Sequence, residues 1–199
     1  HRMVLSGDGL QTVSFARPSS SYSHFNRLVV TNASSQGIRS VDGLAANELA
    51  DSDFAGDIVI ANSNMKLMSD CRVTGNLTLT GSGTIDLNGH SLTVTGDILQ
   101  AGEILYVDGG ILSVGGDYRI QLKNNDGSYG VSGGALKMTN AADRVLVQGV
   151  FAVDSSTGNT DLLTAGTFEL KGDFTQLSNF TNTNGYYTFH CSGTHRTLL

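Results

Sequence analysis

The residues best placed to do chemistry are aspartates that recur at one phase of the chain. Asp57, Asp97, Asp117 and Asp173 each follow a glycine and precede a short apolar segment. Carboxylates stacked in this way can hold Ca2+. Aspartate after glycine also has a plainer role in turn geometry, and Asn76 and Val150 interrupt the column at the same phase. Glycoside hydrolysis would need two carboxyls facing each other across a groove. Glu48, Glu103 and Glu169 are isolated and form no such pair. His1, His24, His90, His190 and His195 have neither metal-ligand spacing nor a serine or aspartate partner in a known motif. Nucleophile elbow, phosphate loop and HExxH are absent. No catalytic, cofactor-binding or metal-ligating residue is therefore assigned. The expectation is a chain without a cofactor that is not an enzyme.

Binding without catalysis has more candidates. The segment 124–134, NNDGSYGVSGG, reads as an inserted loop that takes a ligand or cation, or as a solvated bulge. Tyr22, Phe25, Tyr186, Tyr187 and Phe189 would line a sugar-binding face or form stacked ladders in a core; strand spacing favours the ladders. Asn32, Asn76 and Asn179 open N-x-S/T sequons, which a chain rich in Ser and Thr produces by chance.

What must position these groups is a repeat. GDIVIA at Gly56, GNLTLT at Gly75, GDILQA at Gly96, GDYRIQ at Gly116, GVFAVD at Gly149 and GDFTQL at Gly172 share one pattern. Their spacings are 19, 21, 20, 33 and 23 residues, and the long one carries the inserted loop. Each coil holds about three segments in which apolar and polar residues alternate, the mark of half-buried strands. In the coil from Gly75 the inward set is Leu77, Leu79, Ile85, Leu87, Leu92 and Val94. Stacking coils in register would align Ile58, Leu77, Ile98, Tyr118, Phe151 and Phe174. An antiparallel sandwich gives no reason for such columns. The expected fold is all-β: a parallel, right-handed β-solenoid with coils of about 20 residues and three short strands.

Residues 56–199 form the regular coils. Residues 1–55 are less regular and account for one or two more, with LQTVSF and FNRLVVTN as strands, RPSSSYS as a loop and LAANELA as a helical turn or two. The chain starts HRMVL and ends HRTLL, so His1, Arg2 and Leu5 match His195, Arg196 and Leu199 at an offset of 194. The expectation is that the whole chain is one unit of a tandem array. Cys71 and Cys191 fall five coils apart, about 24 Å at ~4.8 Å per coil, too far for a disulfide. Both are expected to be buried small residues.

Bulk properties exclude some partners. The chain has 199 residues, 25 of them glycine, with one proline, no tryptophan and a net charge of −6. Without a Lys/Arg cluster it lacks the basic face of a nucleic-acid binder. No apolar run reaches the roughly 20 residues of a membrane span, and no signal peptide is visible.

The segments LNGHSLTVTGD, GGILSVGGDYRI, LKMTNAADRVLVQGVF and GTFELKGDFTQ resemble tandem-repeat β-solenoid surface proteins of anaerobic Gram-positive bacteria, distantly similar to filamentous-haemagglutinin-type adhesins. The resemblance implies secretion, an extracellular or cell-surface location, and an adhesive or fibrous role. It brings no catalytic residues. The leading expectation is a structural protein whose repeats join end to end into a rod or fibre, with host or cell-wall glycans as further partners. The alternative is a carbohydrate-binding or polysaccharide-cleaving β-helix domain.

Overall fold

The computed structural model describes residues 1–158, 160–176, 189 and 191–199. It is all-β, a β-solenoid of about eight turns with about 21 residues per turn. Three parallel sheets wrap one core. The first contains, in order, β1 (Arg2–Leu5), β3 (Phe25–Val30), β5 (Ala46–Leu49), β8 (Asn64–Leu67), β11 (Thr84–Asp86), β14 (Ile104–Tyr106) and β19 (Ala135–Lys137). The second contains β7 (Ile58–Ala61), β10 (Leu77–Thr80), β13 (Ile98–Gln100), β16 (Tyr118–Ile120), β21 (Phe151–Val153) and β23 (Phe174–Gln176). The third contains β6 (Ser52–Phe54), β9 (Cys71–Val73), β12 (Ser91–Val94), β15 (Ile111–Val114), β20 (Arg144–Val147), β22 (Thr167–Leu170) and β24 (Arg196–Leu198). A parallel pair, β2 (Gln11–Val13) with β4 (Ile38–Ser40), lies in the early turns. A hairpin, β17 (Leu122–Lys123) with β18 (Tyr129–Gly130), is antiparallel.

Each regular coil visits the second, first and third sheets in turn. Strands one coil apart pair in the expected register: Ile58, Leu77, Ile98, Tyr118, Phe151 and Phe174 stand in one column. The predicted inward set of the Gly75 coil is buried throughout, from Leu79, Leu87 and Val94 at 0% exposure to Leu92 at 4%. One strand face is too narrow to bury itself, so the core exists only because coils stack.

Gly56, at the first Gly–Asx corner, supplies left-handed backbone (φ 81°), whereas Gly75, Gly96, Gly116 and Gly149 at the later corners serve close approach. Oδ1 of Asp57, Asn76, Asp97 and Asp117 accepts the backbone N–H of Asn76, Asp97, Asp117 and Val150 in the next coil, each at 2.8 Å. That oxygen fills the space of the next coil's missing Cβ. A Cβ on Gly75, Gly96, Gly116 or Gly149 would lie 2.5, 2.4, 2.1 or 2.5 Å from it. Left-handed backbone is used at another corner, where Asn88 and Gly89 (φ 51° and 79°) and Asp108 and Gly109 (42° and 81°) turn the chain. Gly116→Ala should therefore cost about 1–3 kcal/mol through overpacking. Adding Asp97→Ala should recover part of that loss, a coupling that a double-mutant cycle of urea melts measures. Simple additivity of the two losses would show that the clash is absent.

Three expectations are corrected. LAANELA is not helical: Ala46–Leu49 is strand β5, because its backbone is held between β3 and β8. The matching termini are not structurally equivalent, since Arg2–Leu5 ends the first sheet and Arg196–Leu198 ends the third. Cys71 is buried in β9, opposite Leu92 as expected, and burial pushes its thiol up to about 12. Cys191 is exposed and bridges Leu163 in the line of Met138, next to the first sheet. Both thiols are free.

Candidate functional site

The inserted segment forms one wall of a cleft on the outer face of the second sheet. It leaves the coil just after β16 as the β17–β18 hairpin. Its turn is closed by Asn124 N–H to Ser128 O (2.9 Å) and by Ser128 N–H and Oγ–H to Asp126 Oδ1 (2.9 and 2.6 Å). These bonds hold the exposed Asp126 carboxyl below its ordinary pKa. The loop's carboxylate thus serves the hairpin itself. The arms of the hairpin place Lys123 and Tyr129 beside the outer face of the second sheet, enclosing a cleft of about 310 Å3.

The cleft has three walls. Its floor is the outward column Val59, Thr78 and Leu99, in register across β7, β10 and β13. One side is the ladder Asp57, Asn76 and Asp97. Each member uses Oδ1 for the next coil and leaves its other polar atom without a protein partner among the described residues. The far side is Arg119, Lys123 and Tyr129. Arg119 is held firmly: Nη2 donates to Asp117 Oδ2 at 2.9 Å, Nη1 to Gln121 Oε1 at 3.4 Å, and its guanidinium lies 4.7 Å from the Tyr129 ring centroid. That stacking is a cation–π contact. The arrangement can hold a ligand by hydrogen bonds and apolar contact.

No family model, curated protein or solved structure matches this chain. Function has to be read from geometry.

Asp97 and Asp117 are neighbours in adjacent coils as expected, but Asp117 carries an ion pair to Arg119 and the column acts as a hydrogen-bond ladder. Among the described residues no three His, Cys, Asp or Glu side chains stand together as metal ligands. Glu48 pairs with Arg27 at 2.6 Å and Glu169 with Lys171. His90 lies 3.8 Å from Asp70, and His195 contacts Ala165 O and Thr197 Oγ1. Phe25 stacks on Phe15, Tyr22 lies under Arg17, and Phe189 joins Phe151, Phe168 and Phe174. Of the described members of that set, Phe25 and Phe189 make ring-on-ring contacts and Tyr22 makes a surface cation–π contact. His190, Asn179, Tyr186 and Tyr187 lie outside the described residues. Of the other sequon asparagines, Asn32 spends its amide on Gly9 O and Gln11 Oε1, and Asn76 is the ladder rung of the cleft.

Glu103 is a buried carboxyl outside the cleft. It sits on left-handed backbone (φ 58°) and is 3% exposed. Its Oε1 reaches across Gly83 to accept the Ser63 N–H at 2.9 Å, while Oε2 is buried without a partner. Burial pushes its pKa up to about 7, against the opposing pull of the Ser63 N–H. It does not line the cleft, so it cannot serve there as an acid.

Proposed function

We propose that the chain is a structural unit of an extracellular, cell-surface rod, in which solenoid units join end to end. One observation carries this reading: the inward columns run out to both ends and stay exposed there. Met3 stands in register with the buried Leu28, yet is 43% exposed. Phe174 ends the Ile58–Phe151 column and is 39% exposed. Among the described residues no strand pairs beyond β1 in the first sheet or beyond β23 and β24 in the second and third. Such an edge offers unpaired N–H and C=O groups to another strand. Among the described residues no helix covers either end, and none is long and apolar enough to cross a membrane. The resemblance to repeat-containing surface proteins supports the same reading, and with it the extracellular location.

Sedimentation velocity across a concentration series tests the idea. The 199-residue chain should grow into larger species with concentration. Met3→Glu, which places a charge on the open core at one end, should shift that growth to at least about tenfold higher concentration, since burying an unpaired charge is costly. Its circular dichroism should not change. A wild-type protein that stays monomeric throughout would refute the proposal.

A further inference from the structure

We propose that the cleft beneath the β17–β18 hairpin binds a neutral oligosaccharide. The argument is independent of rod formation and rests on the lining. Along one side, the unused polar atoms run Asp57 Oδ2, Asn76 Nδ2, Asp97 Oδ2: acceptor, donor, acceptor, at the roughly 4.8 Å spacing of successive coils. Hydroxyl groups both donate and accept, so a polyol can satisfy such a row where a purely donating or purely accepting ligand cannot.

Charge selects against the other small ligands. An anion approaching Lys123 and Arg119 meets the carboxylates of Asp57 and Asp97 across the cleft. A cation approaching those carboxylates meets Lys123 and Arg119. Counting Asp117, which pairs with Arg119, the carboxylates outnumber the cations by one, which disfavours an anion, and among the described residues no three of them converge as metal ligands. The floor of Val59 and Leu99 and the ring of Tyr129 supply apolar contact for the C–H face of a sugar ring. Tyr129 is preorganised, because Arg119 stacks on it while bound to Asp117 and Gln121. An extended peptide has less to gain. Strands β10 and β13 have both neighbours in place, and β7, which ends the sheet, is bonded on its far side by Leu44 (Leu44 N–H to Val59 O, 2.7 Å; Ala61 N–H to Leu44 O, 3.0 Å), so these backbone groups are already spent. The volume of about 310 Å3 is at the lower end for small-molecule sites, which suits a short stretch of glycan and not a folded partner.

The test is calorimetric titration of the 199-residue protein with cello-, manno-, xylo- and N-acetylglucosamine oligomers, with oligogalacturonate as the charged comparison. Two variants accompany it. Asp97→Asn keeps the ladder, as Asn76 already does with an amide, but turns the free acceptor into a donor. Tyr129→Ala removes the ring. At least one neutral oligomer should bind, and each variant should weaken it about tenfold or more, with an unchanged melting temperature. The proposal is overturned if no neutral oligomer binds, if oligogalacturonate binds as tightly as the best of them, or if neither variant weakens binding. Rod assembly, followed by sedimentation, should be unaffected by either variant, so the two readings fail separately.

Discussion

Replacing Glu103 with glutamine should raise stability at pH 8 by about 3 kcal/mol relative to its effect at pH 4. The native carboxyl has a pKa near 7 against 4.5 for an ordinary glutamate. Between those values the native state holds more protons than the unfolded one. Unfolding free energy therefore falls as pH rises through that window, and remains at the lower value above it. Below pH 4.5 both states are protonated and the penalty vanishes. Glutamine is neutral throughout and keeps an oxygen for the Ser63 N–H. Its buried NH2 lacks a partner, as the carboxylic O–H does, so that cost cancels to a first approximation. Urea melts of both proteins at pH 4, 6 and 8 measure the effect. Parallel pH profiles would show that Glu103 is not the ionising group.

Phe151→Ala should be the most damaging single core change, costing about 3–5 kcal/mol. The ring is 0% exposed and stands at the centre of an aromatic group. Its centroid lies 4.8 Å from Phe168, 5.3 Å from Tyr118, 5.5 Å from Phe189 and 5.8 Å from Phe174. Offset and edge-on aromatic pairs add to the loss of buried area. In a stack whose coils contact only their neighbours, the loss should be local. Native-state hydrogen exchange should show protection falling in β21, β22 and β23 while β8 to β12 stay protected. Uniform loss along the chain would mean that the solenoid unfolds as one cooperative unit.

The coil phase was legible because burial repeats. A residue such as Leu77 has only two vertical neighbours, Ile58 and Ile98, and both must be apolar for any of them to be buried. The Gly–Asx motif was equally visible, but its cause was not: the 2.1 Å approach of Asp97 Oδ1 to the Cβ position of Gly116 is a contact between coils, and no local turn rule contains it. The cleft was half legible. The insertion 124–134 marks a place where the surface changes, yet the cleft's lining comes from Asp57, Asn76 and Asp97, up to three coils earlier. Only the register brings Tyr129 over them.

The sequence around Glu103 gives no hint of burial. The Glu103 carboxyl reaches the Ser63 N–H two coils away, and in the coil between them Gly83 lies so close that a Cβ on it would meet the Ser63 backbone. The outer charge ladder of the first sheet likewise has no local sequence signal. Arg27, Glu48, Lys66 and Asp86 stand in one register column, and the pairs at 2.6 and 3.5 Å join residues 21 and 20 positions apart. Each such exposed pair adds little stability, but together they penalise a slip in register.

On the proposed reading, the stack continues from one unit into the next. Electron microscopy of the concentrated 199-residue protein tests it most directly. Each unit should add roughly 35–40 Å of length at ~4.8 Å per coil, and the account predicts unbranched thin filaments many units long. Separate particles no longer than a single unit, at every concentration, would contradict it.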